Sequence, residues 1–279
     1  MKKILITGAN SYIGTSFENY IKEYFSDQYT VDTVDMIDGS WREKSFSGYD
    51  AVFHVAGIAH VKETDENRSL YYSVNHDLAV ETANKAKTDG VSLFVILSTM
   101  SVYGMLTGHI TKQTECHPVN AYGKSKLMAD EELQGMETDS FRVAILRPPM
   151  VYGKNCKGNY QQLRNFALKS PVFPKYFNKR SMVYIDNLCE FVRRIIDENN
   201  SGLFFPQNKD YICTSEMVRL IAKYNGKKIF QCRVVNPFIK VFKIDIIKKV
   251  FGSLKYEICD TIEIMSFEET IKRTETEMN

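Results

Sequence analysis

The chain has 279 residues, with 36 Lys and Arg against 34 Asp and Glu, so its formal net charge is +2. This length predicts one large domain or two modest ones with a sizeable core. The balanced charge, without a long block of one sign, argues against a nucleic-acid partner. Hydrophobic residues make up 44% of the chain and charged residues 25%, a composition that excludes fibrous and disordered proteins.

The longest apolar runs fall well short of the roughly 18 residues that a membrane-spanning helix needs, so we expect no membrane partner. The start of the chain, Met1-Lys2-Lys3, leads directly into a strand-like segment and lacks the pattern of a secretory signal. The six cysteines include no CxxC pair, and the five histidines form no metal-ligand pair. We therefore expect a cytoplasmic protein without a metal site.

Short apolar runs alternate with longer amphipathic stretches through about the first two-thirds of the chain. This rhythm predicts βαβ units around a parallel sheet, because strands buried on both faces are apolar throughout. The predicted strands are 3–7, 31–36, 51–55, 93–98 and 143–147, with 181–185 as a sixth. The sequence therefore predicts a doubly wound α/β fold.

A basic, amphipathic stretch covers residues 238–251, with the sequence FIKVFKIDIIKKVF. One interpretation is a helix that lies on an anionic membrane surface. The interpretation that we favour is a helix that packs its apolar face on the same chain and points its lysines at water.

A glycine-containing turn follows the first predicted strand. The segment Thr7-Gly8-Ala9-Asn10-Ser11-Tyr12-Ile13-Gly14 precedes a helix, an order that places a helix N-terminus against a pyrophosphate. Gly8 would permit the tight turn, and Gly14 the close approach of helix to strand. Ser11 stands where the usual motif has its middle glycine, so we expect a shifted pyrophosphate or a tighter loop.

An acidic residue, Asp35, ends the second predicted strand. The separation in sequence between the glycine turn and Asp35 is about that at which a carboxylate accepts hydrogen bonds from an adenosine ribose. A carboxylate at this position favours NAD over NADP. Asp32 competes for the same role, and Arg42 lies close enough in sequence to soften the preference.

A tyrosine and a lysine form the most informative pair. Tyr122 and Lys126 are four residues apart and share one helical face. A phenol with a pKa of about 10 needs help to act as a base at neutral pH, and a neighbouring ammonium with an oxidised nicotinamide would supply it. Thr99 and Ser101 follow the fourth strand at the ligand-binding edge of the sheet, where a hydroxyl can hydrogen-bond the reacting oxygen.

Together, these features resemble the extended short-chain dehydrogenase/reductase family, in its NAD-dependent nucleotide-sugar epimerase/dehydratase branch. The resemblance covers the first half of the chain and a little more. The matching segments are Thr7 to Gly14, Asp35, His54 to Gly57, Val74-Asn75, Ser98 to Gly104, Tyr122 to Lys126 and Arg147 to Gly153.

The resemblance implies a role for each site residue. Thr99, Tyr122 and Lys126 would form the catalytic triad, with Tyr122 as the acid and base. The implied cofactor-binding residues are Gly8, Asn10, Ser11, Tyr12, Ile13, Gly14, Asp35, Ala56, Gly57, Asn75, Lys126 and Pro149. The implied substrate-binding residues are Thr99, Met100, Ser101, Tyr122, Asn159, Phe173 (at the uracil edge) and Arg180 (on the diphosphate).

Two departures from the family pattern limit the resemblance. Met100-Ser101 stand where dehydratases of the branch carry Asp-Glu, so a 4,6-dehydratase is disfavoured because elimination needs an acid and a base. The segment between Asp35 and Asp50 is short for the branch, which puts adenine and substrate contacts there in doubt.

The resemblance implies a Rossmann-like domain, residues 1–155 and 181–200, and a small C-terminal α/β substrate domain, residues 156–180 and 201–279. We expect an NAD-dependent epimerase that acts at C4 of a UDP-hexose through a transient 4-keto sugar, with NADP as the alternative cofactor. One alternative function is an NAD(P)H-dependent reductase of a 4-keto-sugar nucleotide; another is a non-catalytic dinucleotide sensor. The family also suggests a homodimer and a place in polysaccharide biosynthesis.

Overall fold

A computed structural model gives the fold and describes residues 1–59, 61–234, 236–237, 244–276 and 278. The chain divides into two compact units. Unit 1 comprises Met1–Gly104, Glu115–Pro148 and Leu188–Pro206, and unit 2 comprises Met105–Thr114, Pro149–Asn187 and Gln207–Asn279.

The strands and helices are numbered in chain order. The strands are β1 (Lys2–Thr7), β2 (Tyr29–Val34), β3 (Ala51–His54), β4 (Leu93–Leu97), β5 (Gly108–Ile110), β6 (Arg142–Leu146), β7 (Met150–Tyr152), β8 (Val172–Pro174), β9 (Met182–Tyr184), β10 (Gly202–Phe204), β11 (Gln207–Asn208), β12 (Phe230–Cys232), β13 (Leu254–Tyr256) and β14 (Thr261–Ile262). The helices are α1 (Tyr12–Tyr24), α2 (Arg68–Tyr72), α3 (Leu78–Thr88), α4 (Ala121–Gly135), α5 (Asn159–Lys169), α6 (Ile185–Glu198), α7 (Thr214–Tyr224), α8 (Asp245–Phe251) and α9 (Phe267–Thr276).

Unit 1 is built on a six-stranded parallel sheet in the order β2-β1-β3-β4-β6-β10. Its central strands are apolar and fully buried, as in Ile4 to Ile6 and Phe94 to Ile96. The predicted α/β fold is confirmed. The chain passes from β1 to β2 on one side and then to β3 on the other, so the strand order reverses beside β1. Ligands of such sheets bind at the carboxyl ends of the strands at this reversal.

The prediction of 181–185 as the sixth strand of this sheet is wrong. Strand β9 pairs with β7 in a separate two-stranded sheet of unit 2, and β10 occupies the sixth place. The three residues of β10 are only half-buried at the edge of the sheet. No buried apolar run therefore marked this strand in the sequence.

The short segment between Asp35 and Asp50 forms no strand. It contains a single 3₁₀ turn, Ser40–Arg42, which is anchored by the buried indole of Trp41 against Phe46 at 6.5 Å between ring centroids. Strand β2 consequently remains at the edge of the sheet. One outer strand of the usual dinucleotide-binding sheet is absent from these fully described residues.

Unit 2 combines helices α5, α7 and α9, which pack on each other, with short pairs of parallel strands. Of the basic stretch 238–251, residues 238–243 lie outside the described residues, and Asp245–Phe251 form α8. None of the α8 residues is buried, although the Phe251 ring contacts Phe173 and Tyr176. Ile247, Val250 and Phe251 are partly buried, so the described part of the helix packs an apolar side on its own chain only in part.

Candidate active site

The turn after β1 leaves bare backbone where the cofactor is expected. Gly8 has φ +116°, and a Cβ there would lie 2.7 Å from the amide nitrogen of Ala56, so only glycine fits. A Cβ at Gly14 would lie 2.6 Å from Ser11 Oγ and 3.0 Å from Val55 Cγ2, which is too close for a side chain. The loops after β1 and β3 thus approach each other with no side chain between them, which fits a pyrophosphate held by backbone amides.

Ser11, the departure from the usual glycine motif, caps helix α1. Its hydroxyl accepts a hydrogen bond from the Gly14 amide at 3.2 Å. Asn10 before it adopts a left-handed conformation with φ 62°. Helix α1 begins at Tyr12, and Ile13 lies in its first turn, whose amides face the loop. The serine therefore caps the first turn of α1, and its expected effect on the pyrophosphate or the loop stays a prediction.

The loop after β3 is held in place by a buried asparagine. Asn75 accepts a hydrogen bond from the Ile58 amide at 2.8 Å and donates to the Ile58 carbonyl and to Ser125 Oγ, both at 3.2 Å. A Cβ at Gly57 would lie 3.0 Å from Asn75 Oδ1 and 3.3 Å from Lys126 Nζ. Asn75 is fully buried, so we assign it to fixing this loop rather than to touching the cofactor.

The carboxylate at the end of β2 is exposed and placed beyond the last strand residue. Asp35 Oδ1 accepts a hydrogen bond from the Ile37 amide at 2.8 Å. Its competitor Asp32 lies within β2 and accepts a hydrogen bond from the Tyr49 hydroxyl at 2.7 Å. Arg42 forms a two-pronged ion pair with Glu81. These contacts leave Asp35 exposed and hold Arg42 to another carboxylate, and the ribose contact of Asp35 stays a prediction.

The three predicted catalytic side chains meet at the carboxyl end of β4. Thr99 caps the 3₁₀ turn Met100–Tyr103, and its hydroxyl forms a hydrogen bond with the Tyr122 phenol. Tyr122 is the second residue of α4, whose start is capped by Asn120 accepting from the Gly123 amide at 2.8 Å. One turn further on, Lys126 Nζ donates to the Leu97 carbonyl at 2.8 Å.

The phenol of Tyr122 is protonated at neutral pH, because its pKa lies above the usual value. Burial raises its pKa above the usual value, the hydrogen bond from Thr99 lowers it, and the charge of Asp130 raises it further. The sequence predicted that an ammonium together with an oxidised nicotinamide would lower this pKa; in the structure burial sets the direction of the shift, and Lys126 is not among the groups that act on it. The phenol ring also packs edge-on against Tyr71 at 6.4 Å.

Lys126 is almost completely buried, and burial lowers its pKa to about 8, while Asp130 acts in the opposite direction. The neighbouring His54 is fully buried too, and burial followed by the Lys126 charge lowers its pKa to about 3. The imidazole is therefore neutral, and its Nδ1 is hydrogen-bonded to Thr7 Oγ1 at 2.8 Å. Lys126, and not His54, therefore carries the positive charge next to Tyr122, and its pKa of about 8 lies close to neutral pH.

A buried ion pair behind the triad was missed by sequence reasoning. Asp130 Oδ2 accepts hydrogen bonds from Ser98 Oγ at 2.7 Å and from Arg147 Nε at 2.9 Å. Arg147 Nη1 in turn donates to the Tyr103 hydroxyl at 2.8 Å. Asp130 follows Lys126 by four residues, which is the helical spacing that could have revealed it.

The other predicted residues at the carboxyl end of β4 lie in the 3₁₀ turn that Thr99 caps. The Met100 amide donates to the Pro148 carbonyl at 3.0 Å, and Ser101 is exposed. A Cβ at Gly123 would lie 2.9 Å from the Ser101 carbonyl oxygen, so a glycine allows α4 to approach this turn. Ser101 therefore has an accessible side chain next to the triad, as a substrate contact requires.

Three predicted site residues of unit 2, Pro149 for the cofactor and Asn159 and Phe173 for the substrate, differ in accessibility. Pro149 is buried before β7, and Asn159 is exposed at the start of α5. Phe173 is only 3% exposed, with its ring between Phe166 and Phe251. Its predicted role at a uracil edge is therefore wrong for the ring, because core packing covers it.

Arg180 has the character expected of an anion-binding residue. Its Nη1 donates to the Gly252 carbonyl at 2.8 Å, and burial lowers the pKa of its guanidinium. Among the described residues no carboxylate lies within ion-pair distance of it. A partly buried cation that lacks an acidic partner gains most from an anionic ligand.

A parallel sheet with a dinucleotide cradle and a Tyr-Lys pair on one helix defines an oxidoreductase of the extended short-chain dehydrogenase type. The chain belongs to the NAD dependent epimerase/dehydratase family, whose family model matches residues 4–206. The cofactor of the family is NAD, and the bare turns at Gly8 and Gly57 fit it.

Relatives match almost the whole chain. It is 29% identical over 296 residues to a UDP-glucose 4-epimerase of Vibrio cholerae, covering 95% of this chain and 90% of that protein. It is 26% identical over 277 residues to the N-acetyl-alpha-D-glucosaminyl-diphospho-ditrans,octacis-undecaprenol 4-epimerase of Escherichia coli O157:H7, covering 91% and 82%. The structure of a UDP-glucuronic acid 4-epimerase from Bacillus cereus with NAD shares the fold, with a TM-score of 0.75, 18% identity and coverage of 99% and 96%.

Proposed function

We propose that the protein is an NAD-dependent 4-epimerase of a diphosphate-linked hexose, with a UDP-hexose as the substrate. The observation that carries this proposal is the convergence of Thr99, Tyr122 and Lys126 at the carboxyl end of β4. The two curated relatives that match 95% and 91% of the chain are 4-epimerases, which supports the C4 position and the return of the hydride.

Tyr122 would move the proton at the O4 hydroxyl of the sugar. Its phenol takes that proton as the 4-keto sugar forms and returns it when the hydroxyl is restored on the other face. When bound, NAD accepts the C4 hydride and gives it back. Because burial favours the protonated phenol, formation of the phenolate needs a positive charge beside it, which an oxidised nicotinamide would supply.

Lys126 and Thr99 would prepare the tyrosine for this step. The Lys126 ammonium, fixed by the Leu97 carbonyl, places a positive charge one helical turn from the phenol and within reach of a nicotinamide ribose. Thr99, whose hydroxyl lowers the pKa of the phenol, would share the reacting O4 hydroxyl. The buried pair of Asp130 and Arg147 is assigned a positioning role, since it ties α4 to the ends of β4 and β6.

Arg180 would bind the diphosphate of the substrate. Its guanidinium can make two parallel hydrogen bonds to phosphate oxygens, which would offset the cost of keeping it partly buried. Asn159, exposed at the start of α5, would add a contact to the same group. A diphosphate is common to nucleotide sugars and to polyprenol-linked sugars, so this contact serves either carrier.

The experiment that tests the function follows the sugar by NMR. We expect purified protein to convert UDP-glucose or UDP-N-acetylglucosamine to its C4 epimer without net consumption of added NADH, and Tyr122→Phe to abolish the conversion. Tyr24→Phe changes an exposed tyrosine of α1 and serves as the matched control. An enzyme that instead consumed one NADH or NADPH per 4-keto sugar would be a reductase, the alternative that uses the same triad.

A further inference from the structure

Two segments of unit 2 concentrate positive charge. Residues 149–185 and 226–254 together carry 14 of the 36 basic residues of the chain but only one of its 34 acidic residues, Asp245. The net charge of +2 therefore hides a strong separation of charge along the chain. Neither segment is a continuous run of lysines, so each one alone gives a weak signal in the sequence.

The fold joins these two segments. Strand β8 pairs with β12 in parallel register, with Phe173 opposite Gln231. The Asn178 side-chain amide donates to the carbonyls of Val250 and Gly252 at 3.2 and 3.3 Å. Two segments that are separated by some forty residues of sequence thus become neighbours, and their positive charges add.

Large apolar side chains stand exposed among these charges. Phe177 is 71% exposed, Val234 78% and Ile246 68%. The guanidinium of Arg233 lies over the Phe177 ring at 5.5 Å, and Lys248 and Lys249 follow Ile246 on α8. We call Phe177, Arg233, Val234, Ile246, Lys248 and Lys249 the basic apolar face.

The charges of this face are mostly uncompensated. Lys248 lies 3.4 Å from Asp245, and among the residues that the structure describes no other carboxylate pairs with Arg233, Lys248 or Lys249. A diphosphate held by Arg180 would leave these more exposed cations unused. An anionic partner that offers an extended surface would match them better.

We propose that the basic apolar face docks the protein on an anionic lipid bilayer. The lysines and Arg233 would lie among the lipid headgroups, where each basic residue contributes about 1 kcal/mol, while Phe177, Val234 and Ile246 would enter the acyl boundary. Nucleic acid is a poorer match because the aliphatic side chains of Val234 and Ile246 cannot stack on bases. No described helix is long and apolar enough to span a membrane, so the contact would be peripheral.

Vesicle sedimentation tests this proposal without any assay of catalysis. The full-length protein is mixed with vesicles of phosphatidylcholine alone or of phosphatidylcholine with phosphatidylglycerol. We expect binding to the anionic vesicles only, and weaker binding as salt rises above about 0.1 M, where the Debye length is about 10 Å. The double variant Lys248→Gln with Lys249→Gln should bind about 30-fold more weakly, and Ile246→Ser about tenfold more weakly.

Matched controls lie in unit 1. Lys3→Gln with Lys22→Gln removes the same charge from exposed positions, and Ile37→Ser removes an isoleucine that is 92% exposed. Equal losses in control and test variants would overturn the proposal, as would equal binding to both vesicle types or binding to neither. Preferential binding of a DNA duplex, or a lipid-free dimer that Ile246→Ser dissociates, would assign the face to another occupant. Tyr122→Phe should keep its vesicle binding, so the docking and the proposed epimerase activity can fail separately.

Discussion

The cations behind the Tyr122 site in unit 1 differ from Arg180 and the basic apolar face of unit 2 in whether an acidic side chain pairs with them. In unit 1, the buried guanidinium of Arg147 faces Asp130 at 2.9 Å, and the buried ammonium of Lys126 shares the same helix with that carboxylate. In unit 2, Arg180 is held by a carbonyl, and the cations of the basic apolar face point outward. Internal pairing fixes a reaction geometry, whereas cations without acidic partners are suited to ligands that bring the negative charge with them.

The largest expected effect is on catalysis, from a substitution of Tyr122, which the ion pair of Asp130 and Arg147 helps to position. Tyr122→Phe removes the acid and base while keeping the ring against Tyr71. Turnover should fall about 10²- to 10⁴-fold, with NAD affinity nearly unchanged. Steady-state kinetics together with a titration of NAD measure both quantities. A variant with wild-type turnover would remove Tyr122 from the mechanism.

The internal pairing itself is tested by Asp130→Asn. Removing the carboxylate leaves Arg147 buried and unpaired, which should lower the free energy of unfolding by about 3–5 kcal/mol. In unit 2, Glu216→Gln breaks a more exposed pair with Arg219 and should cost less than about 1 kcal/mol. Urea denaturation measures both values. Equal losses of unfolding free energy in the two variants would show that the buried ion pair of Asp130 contributes no more to stability than the exposed pair of Glu216.

The titration of Lys126 gives a pH-dependent effect of about 3 kcal/mol. Its pKa is lowered in the folded chain from 10.5 to about 8, so the folded state releases the proton before the unfolded state does. The stability of the wild type relative to Lys126→Met should therefore be lowest below pH 8 and rise toward pH 10.5 by up to about 3 kcal/mol. Denaturation of both proteins across this range measures the difference, and a flat difference would show that Lys126 titrates normally.

Arg180→Met tests whether the cation of unit 2 that lacks a described acidic partner serves ligand binding or stability. Because no described carboxylate pairs with Arg180, the substitution should change the free energy of unfolding by less than about 1 kcal/mol. Loss of its charged hydrogen bonds should weaken UDP binding about 10- to 100-fold. Calorimetric titration with UDP checks the affinity. Strong destabilisation with unchanged UDP affinity would make Arg180 a structural residue.

The sequence predicted the parts of the fold and site that rest on local patterns. The strands of the sheet centre, such as β1 and β4, were predictable because they are buried on both faces. Tyr122 and Lys126 were recognisable because one helix fixes their spacing. Strand β10 escaped because its three residues are only half-buried at an edge.

Features that depend on tertiary contacts were beyond the sequence. Arg147 meets Asp130 only because helix α4 packs against β6, and Phe173 is covered by Phe251 from a distant helix. The raised pKa of Tyr122 follows from burial, which no spacing rule reports. The basic apolar face likewise exists only after β8 and β12 pair.

The most direct test of the proposed mechanism uses UDP-hexose that carries deuterium at C4. If Tyr122 moves only the hydroxyl proton while the C4 hydride goes to NAD and returns, the epimerised product should keep its deuterium at C4, as NMR and mass spectrometry would show. Loss of the deuterium to water, or a product reduced at the expense of added NADH, would contradict a 4-epimerase that recycles its cofactor.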